Sequence, residues 1–125
     1  MNLLLDTHTL LWVFSRDPRL SGEATDAIRD GSTVVYASAV TAWEISIKKA
    51  LGKLEAPANY LEGLRLYRFT PLAISTEHAL AVEALQPHHR DPFDRMLVAQ
   101  ALEEKLVLVT HDTHLRAYGV PILET

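Results

Sequence analysis

Leu3-Leu4-Leu5-Asp6-Thr7-His8-Thr9 is the stretch whose reading decides the fold. Three consecutive leucines leave no polar face, as expected of a strand covered on both sides within a parallel sheet. The run stops on a carboxylate, and Thr9 then offers an N-cap to a helix carrying Leu10, Leu11, Trp12 and Phe14. A charge at the end of a buried strand is costly unless something compensates it. In an open α/β sheet the same position is the mouth of the crevice where ligands bind. Asp6 is therefore the reference point, and the question becomes which other acids arrive beside it.

Around that stretch the 125 residues make one domain, 1–125, with 48% hydrophobic and 22% charged residues. A chain of this length buries roughly two-thirds of its unfolded surface. The absence of cysteine excludes a disulfide framework and any thiolate metal site. A formal net charge of −4 argues against holding nucleic acid by bulk electrostatics. It leaves room for local basic contacts around an acidic, metal-loaded site. No apolar run reaches the length of a membrane span, and no leader pattern opens the chain, so a cytoplasmic protein without membrane attachment is expected.

Ser21 and Gly31 bracket a second helix, and Thr33–Tyr36 reads as strand two. Trp43, Ile47 and Leu51 recur every four residues, the signature of one face of a helix ended by Gly52. Pro57 suits a first helical position, so Ala58–Arg68 is expected to be helical, with Tyr60, Leu64 and Tyr67 along one side. Together these segments predict a helical hairpin at about 41–68. A short strand at Phe69–Ile74 and a helix over Thr76–Leu85 follow, the latter burying Ala79, Val82 and Leu85. Asp91-Pro92 opens a long helix to Glu104, Leu106–Thr110 is a second buried strand, and Val120–Leu123 an edge strand. The alternation predicts a three-layer α/β/α domain around a five-stranded, mainly parallel sheet.

In that layout Asp6, Glu44, Asp94 and Asp112 all stand at the carboxyl edge of the sheet. Crowded carboxylates raise each other's pKa unless a cation sits among them. Oxygen ligands with water in the remaining positions suit Mg²⁺ or Mn²⁺, and such ions suit phosphodiester hydrolysis. Each acid also has a plain structural reading. Asp6 can cap the first helix, Glu44 can complete a capping box with Thr41, and Asp91 is the natural cap ahead of Pro92. Asp94 is favoured by the helix dipole alone, and Asp112 fits ordinary turn chemistry. The coincidence of the acids at one edge is what points to a site.

His88-His89 and His111-x-x-His114 lack the companions of a zinc motif and read as solvated loop residues. Lys48 lies four residues after Glu44, which fits either an ion pair or a phosphate contact. Arg90 and Arg95 flank the Asp91–Asp94 turn as candidates for phosphate-backbone contacts or for plain solvation. Tyr60, Leu64 and Tyr67 read as core, although two short helices over a small sheet can leave apolar surface for a partner.

Four segments carry a family resemblance: Leu4-Leu5-Asp6-Thr7-His8; Trp43-Glu44-Ile45 with Lys48; Asp91-Pro92-Phe93-Asp94-Arg95 running on to Ala101; and Val109-Thr110-His111-Asp112. In this order they resemble PIN-domain proteins, and within that group the VapC-type toxins of bacterial toxin–antitoxin pairs. The resemblance spans essentially the whole chain. It implies a Mg²⁺- or Mn²⁺-dependent endoribonuclease, a homodimer, and inhibition by a cognate antitoxin whose tail covers the acidic pocket. It implies Asp6, Glu44 and Asp94 as the core acids and Asp112 as the more variable fourth, with Thr7 and Thr110 in support. His111 before Asp112, where a smaller polar residue is usual, departs from the family pattern.

Two rival functions stay in view. Asp6-x-His8 after a strand imitates the opening of metallophosphoesterases, and Asp6-Thr7-x-Thr9 that of haloacid-dehalogenase-type phosphohydrolases. The former lacks its further motifs here, and the latter usually carries a second Asp where His8 stands. A non-catalytic protein-interaction module, its acids serving only as caps, is the other.

Overall fold

A computed structural model describes residues 1–125, and in it the three leucines form β1 (Leu3–Leu5) with no exposure to solvent. β2 (Val35–Ser38) and β4 (Val107–Thr110) flank β1, both parallel to it, with Leu4 in register with Tyr36 and Leu108. β3 (Thr70–Leu72) and β5 (Ile122–Glu124) form the edges, giving five strands in the order β3-β2-β1-β4-β5. Every neighbouring pair is parallel, so the three-layer α/β expectation holds and the sheet is wholly parallel. Pro71, which has no N–H to give a ladder, is tolerated because β3 is an edge.

Alternation along the strands sorts the core into two layers. On one face Leu3, Leu5, Val35 and Ala37 meet α1 (Thr7–Ser15), α2 (Gly22–Arg29) and α4 (Tyr60–Leu66) through Leu10, Val13, Ala24 and Leu64. On the other, Leu4 and Leu108 meet Val40 of α3 (Ala39–Ala50), Leu97, Val98 and Ala101 of α6 (Pro92–Glu104), and Leu115. α5 (Thr76–Ala81) packs along α6 and runs into a tighter turn at Val82–Ala84.

Several local expectations are corrected. The hairpin at about 41–68 is not a packed unit, because α3 and α4 contribute to opposite faces of the sheet. α4 starts at Tyr60 behind an Asn59 cap, leaving Pro57 outside the helix. α3 begins at Ala39, capped by Ser38 and not by Thr41, so Glu44 stands in its second turn and no capping box forms. Its inner face is Val40, Thr41, Glu44 and Ile45, while Trp43 is 57% and Leu51 62% exposed. A four-residue repeat defines a stripe but not which way it points. Here the partners of the Glu44 carboxylate turn the charged side inward. In α5 the buried residue is His78, Ala79 is exposed, and Val82 and Leu85 are half-buried.

The strand order sets the place of the site. From β1 the chain runs outward to β2 and β3, then crosses back to β4 and β5 on the other side of β1. The gap at the carboxyl ends of β1 and β4 is thus a topological switch point, where open α/β sheets bind ligands.

Candidate metal centre

Asp6 leaves β1 at that gap. Its main-chain N–H still pairs with Val109 at 3.1 Å, and its Oδ1 accepts the N–H of Thr9 at 2.8 Å. Asp6, not Thr9, is therefore the N-cap of α1; Thr9 is buried and donates its hydroxyl to the Val109 carbonyl at 3.0 Å. The capping and site readings of Asp6 do not compete, since capping engages only one oxygen of a carboxylate that is 4% exposed.

Glu44 enters from α3 and is equally buried. Its Oε1 accepts the Thr7 hydroxyl at 2.6 Å and its Oε2 the Lys48 ammonium at 2.5 Å. The hydrogen bond it donates to Glu44 holds the Lys48 ammonium above its usual pKa, with Asp91 and Asp94 adding to the pull. Lys48 thus faces the acids as their counter-charge, and the ion-pair reading of its spacing is the one realised.

Asp94 comes from the first turn of α6, where Asp91 is the N-cap, its Oδ1 accepting the N–H groups of Phe93 and Asp94 at 2.8 and 3.3 Å. Burial first, and then the charges of Asp91, Asp6 and Glu44, push the Asp94 carboxyl up to about 7. Four carboxylates, two from α6, one from α3 and one from the end of β1, thereby feel one another across the gap.

Asp112 follows β4, and Thr110 accepts its main-chain N–H at 3.0 Å. One oxygen takes the N–H of His114 at 3.1 Å, and the other faces Nε2 of His89 at 3.1 Å. Burial works against ionising Asp112, but the hydrogen bonds from His114 and His89 outweigh it and hold the carboxyl below its ordinary range. His89 Nε2 also stands 3.6 Å from Oδ2 of Asp94, so this ring links the two acids.

A divalent cation suits this donor set. Asp94 is raised by neighbours of its own sign, and the remedy for such crowding is positive charge among them. Ligand-type atoms of Asp94, Asp112 and His89 lie within 4.8 Å of one another, so two of the acids come close at this gap.

Other candidates lie elsewhere. Arg95 is occupied: its guanidinium donates to the carbonyls of Val82, Leu85, Gln86 and His89 and to the Tyr118 hydroxyl. It holds the loop ahead of α6 together and is not a free RNA contact. Arg90 is exposed beside the centre. His88 packs on Tyr118, and His111 packs on His8 and Trp12 with ring centroids 5.6 and 5.3 Å apart, so neither histidine pair converges on a zinc site.

Reading the sequence overlooked His89 as a member of the centre, and overlooked the cluster of His8, Trp12 and His111 at its rim. Their signal was position alone. His8 lies two residues after Asp6, His111 immediately before Asp112, and His89 two residues before the α6 cap.

The chain has relatives among known proteins. The PIN domain family model matches residues 3–121. Ribonuclease VapC22 of Mycobacterium tuberculosis is 31% identical over 126 residues, covering 95% of this chain and 93% of the relative. Among solved structures, VapBC2 from Rickettsia felis superposes with a TM-score of 0.73 at 13% identity, covering 99% of this chain and 98% of that one. VapBC from Salmonella typhimurium gives 0.69 at 20% identity over 99% and 98% of the two chains. A toxin–antitoxin complex from Klebsiella pneumoniae gives 0.65 at 24% over 97% and 95%.

Proposed function

The chain belongs to the PIN domain family, and on that premise we propose that it is a metal-dependent endoribonuclease, the toxin of a toxin–antitoxin pair. The observation that carries this reading is the convergence of Asp6, Glu44 and Asp94 at the switch point, felt in the raised Asp94 carboxyl. Capping accounts for Asp6, Asp91 and Asp112, but not for Glu44 in the second turn of α3 or for Asp94, and gives no reason for the acids to crowd one gap. A 31% identical relative named a ribonuclease supports RNA, over a small phosphoester, as the substrate.

Asp6 and Asp94 are the principal ligands, and Glu44 and Asp112 complete the shell directly or through water. Mg²⁺ or Mn²⁺ fits these hard oxygen donors. When bound, such an ion neutralises the acids, activates water and stabilises charge on the phosphate. The chain's own residues do the rest. Thr7 and Lys48 hold and aim the Glu44 carboxylate, Thr110 fixes the backbone that presents Asp112, and the leucine strand behind excludes water. Exposed Arg90 is placed for a phosphate outside the cleaved bond. The ring cluster of His8, Trp12 and His111 gives an unstacked base a surface beside the acids.

A hollow of about 430 Å³ lined by Trp12, Val13, Leu20, Ile28 and Tyr67, together with Arg16, Asp17 and Arg29, offers a seat for an apolar segment of the antitoxin. Exposed Trp43 and Leu51 on α3 and Leu61 and Leu66 on α4 supply apolar surface for a homodimer. No helix is long and apolar enough to cross a membrane.

The test is cleavage of defined RNA oligonucleotides with Mg²⁺ or Mn²⁺. Wild type should cut, the chelated protein should not, and Asp6→Asn should be folded and inert. A folded, active Asp6→Asn protein overturns the assignment.

A further inference from the structure

His89 stands among the acids without a part in the chemistry above. By distance alone, Nε2 with Oδ2 of Asp112 at 3.1 Å and Oδ2 of Asp94 at 3.6 Å describes a mixed nitrogen–oxygen site for a divalent ion. The other ring nitrogen argues against that. Nδ1 accepts the main-chain N–H of Asp91 at 3.0 Å. A backbone amide can only donate, so Nδ1 must present its lone pair. A neutral imidazole with its Nδ1 lone pair in use carries its hydrogen on Nε2. A nitrogen bearing hydrogen has no lone pair for a metal, but it can donate to a carboxylate.

The surroundings fix this arrangement. Asp91 caps α6 with its side chain, which leaves its own N–H pointing back at His89. Arg95 grips the Gln86 carbonyl at 2.9 Å and the His89 carbonyl at 3.5 Å, anchoring the loop that carries the ring. On the far side His114 holds the other oxygen of Asp112.

We propose that His89 is a positioning residue that orients Asp112 through Nε2–H and is not itself a ligand of the ion. The proposal rests on reading the centre as a metal site. Asp112 leaves β4 on a short turn, and the ring ties its carboxylate to the α6 side of the gap. Partners of this kind set the orientation of a ligand, and removing one typically lowers metal affinity by 10–100-fold.

The experiment uses the whole chain and Mn²⁺ alone. Pulsed electron paramagnetic resonance of the Mn²⁺-loaded protein should show no coupling from a directly bound imidazole nitrogen. Long-range ¹H–¹⁵N spectra of the metal-free protein should place the His89 hydrogen on Nε2. By calorimetry His89→Ala should weaken Mn²⁺ binding by roughly 10–100-fold, whereas His89→Gln, whose amide N–H reaches the same way, should stay near wild type. A nitrogen coupling in wild type that vanishes in His89→Ala would make His89 a ligand and overturn the proposal. Unchanged Mn²⁺ affinity in a folded His89→Ala protein would overturn it too, while leaving the metal site standing. Failure of wild type to bind Mn²⁺ would instead remove the metal reading itself, and this proposal with it.

Discussion

The hydroxyl of Thr7 donates to Oε1 of Glu44 at 2.6 Å, joining the first turn of α1 to the second turn of α3 between residues 37 apart in sequence. Both groups are buried, so neither has water as a substitute. Thr7→Val keeps the shape and removes the donor. Its expected cost is about 1–3 kcal/mol of stability, from a buried acceptor left unsatisfied. Mn²⁺ affinity should fall as Glu44 loses its aim, and Thr7→Ser should restore most of both. A melt with calorimetry on the two variants checks this; an unaffected Thr7→Val protein contradicts it.

Asp94 gives the metal-free protein a pH dependence of definite sign. Its carboxyl is raised from 3.8 to about 7, first by burial and then by Asp91, Asp6 and Glu44. Between those values the native state keeps a proton that the unfolded chain has lost, so stability must fall as pH rises through that window. The melting temperature without metal should therefore drop from about pH 5 to pH 8. Asp94→Asn should flatten the profile and, at the upper end, stabilise the fold by about 1–2 kcal/mol once solvent screening is allowed for. The same variant should lose RNA cleavage. A destabilised Asp94→Asn protein at pH 8 would show that the acids are not crowded as described.

Arg95 separates a structural from an RNA-binding role. It binds the carbonyls of Val82, Leu85, Gln86 and His89 and the Tyr118 hydroxyl, so Arg95→Ala should release the loop ahead of α6. Hydrogen exchange across residues 82–91 should quicken, and stability should drop by about 1–3 kcal/mol. The salt dependence of RNA binding should not change, because no phosphate contact is lost. A shallower salt slope with unchanged exchange would return Arg95 to the RNA interface.

Strand residues showed their places in the sequence because burial on both faces demands runs such as Leu3–Leu5 and Val107–Val109. The acids were legible because each follows a strand or opens a helix, and topology alone carries those positions to one edge. What stayed hidden depended on direction. The inner face of α3 follows Glu44 and its partners Thr7 and Lys48, one of them on another helix, which no local periodicity records. Arg95 and His89 are two more cases. Their roles come from carbonyls and amides of a turn whose path is fixed only when α5, α6 and the Thr113–Tyr118 turn pack together.

Gly63 tests how tightly α4 is fitted against α1 within their shared layer. A Cβ there would stand 2.8 Å from Cζ of Phe14. The Phe14 ring has little freedom to yield, lying among Tyr60, Tyr67 and Phe69 with centroids 6.0, 5.7 and 6.5 Å away. Gly63→Ala should therefore cost about 1–3 kcal/mol by overpacking, against a helix-propensity gain of about 1 kcal/mol. Net destabilisation with RNA cleavage retained is expected. A more stable Gly63→Ala protein would mean that α4 sits more loosely on Phe14.

Ion binding and the Asp94 proton must compete, because a ligating carboxylate has to be deprotonated. Near pH 6 Asp94 still carries its proton in much of the metal-free protein, given its carboxyl at about 7. Mn²⁺ must then displace it, so affinity should climb with pH and level off above about pH 8, where no proton is left to remove. Calorimetry at pH 6 in two buffers of different ionisation enthalpy should detect proton release on binding. The release should shrink toward zero at pH 8, and Asp94→Asn should abolish it at both. Bound Mn²⁺ at a hundred times its Kd should stabilise the fold by about 2.7 kcal/mol, reversed by chelation. That gain should be larger at pH 8 than at pH 6 for a fixed total of Mn²⁺, opposite in sign to the trend of the metal-free protein. A melting temperature that falls with pH in the metal-free protein and stays level in the Mn²⁺-saturated one follows only if Asp94 is both the crowded acid and a ligand.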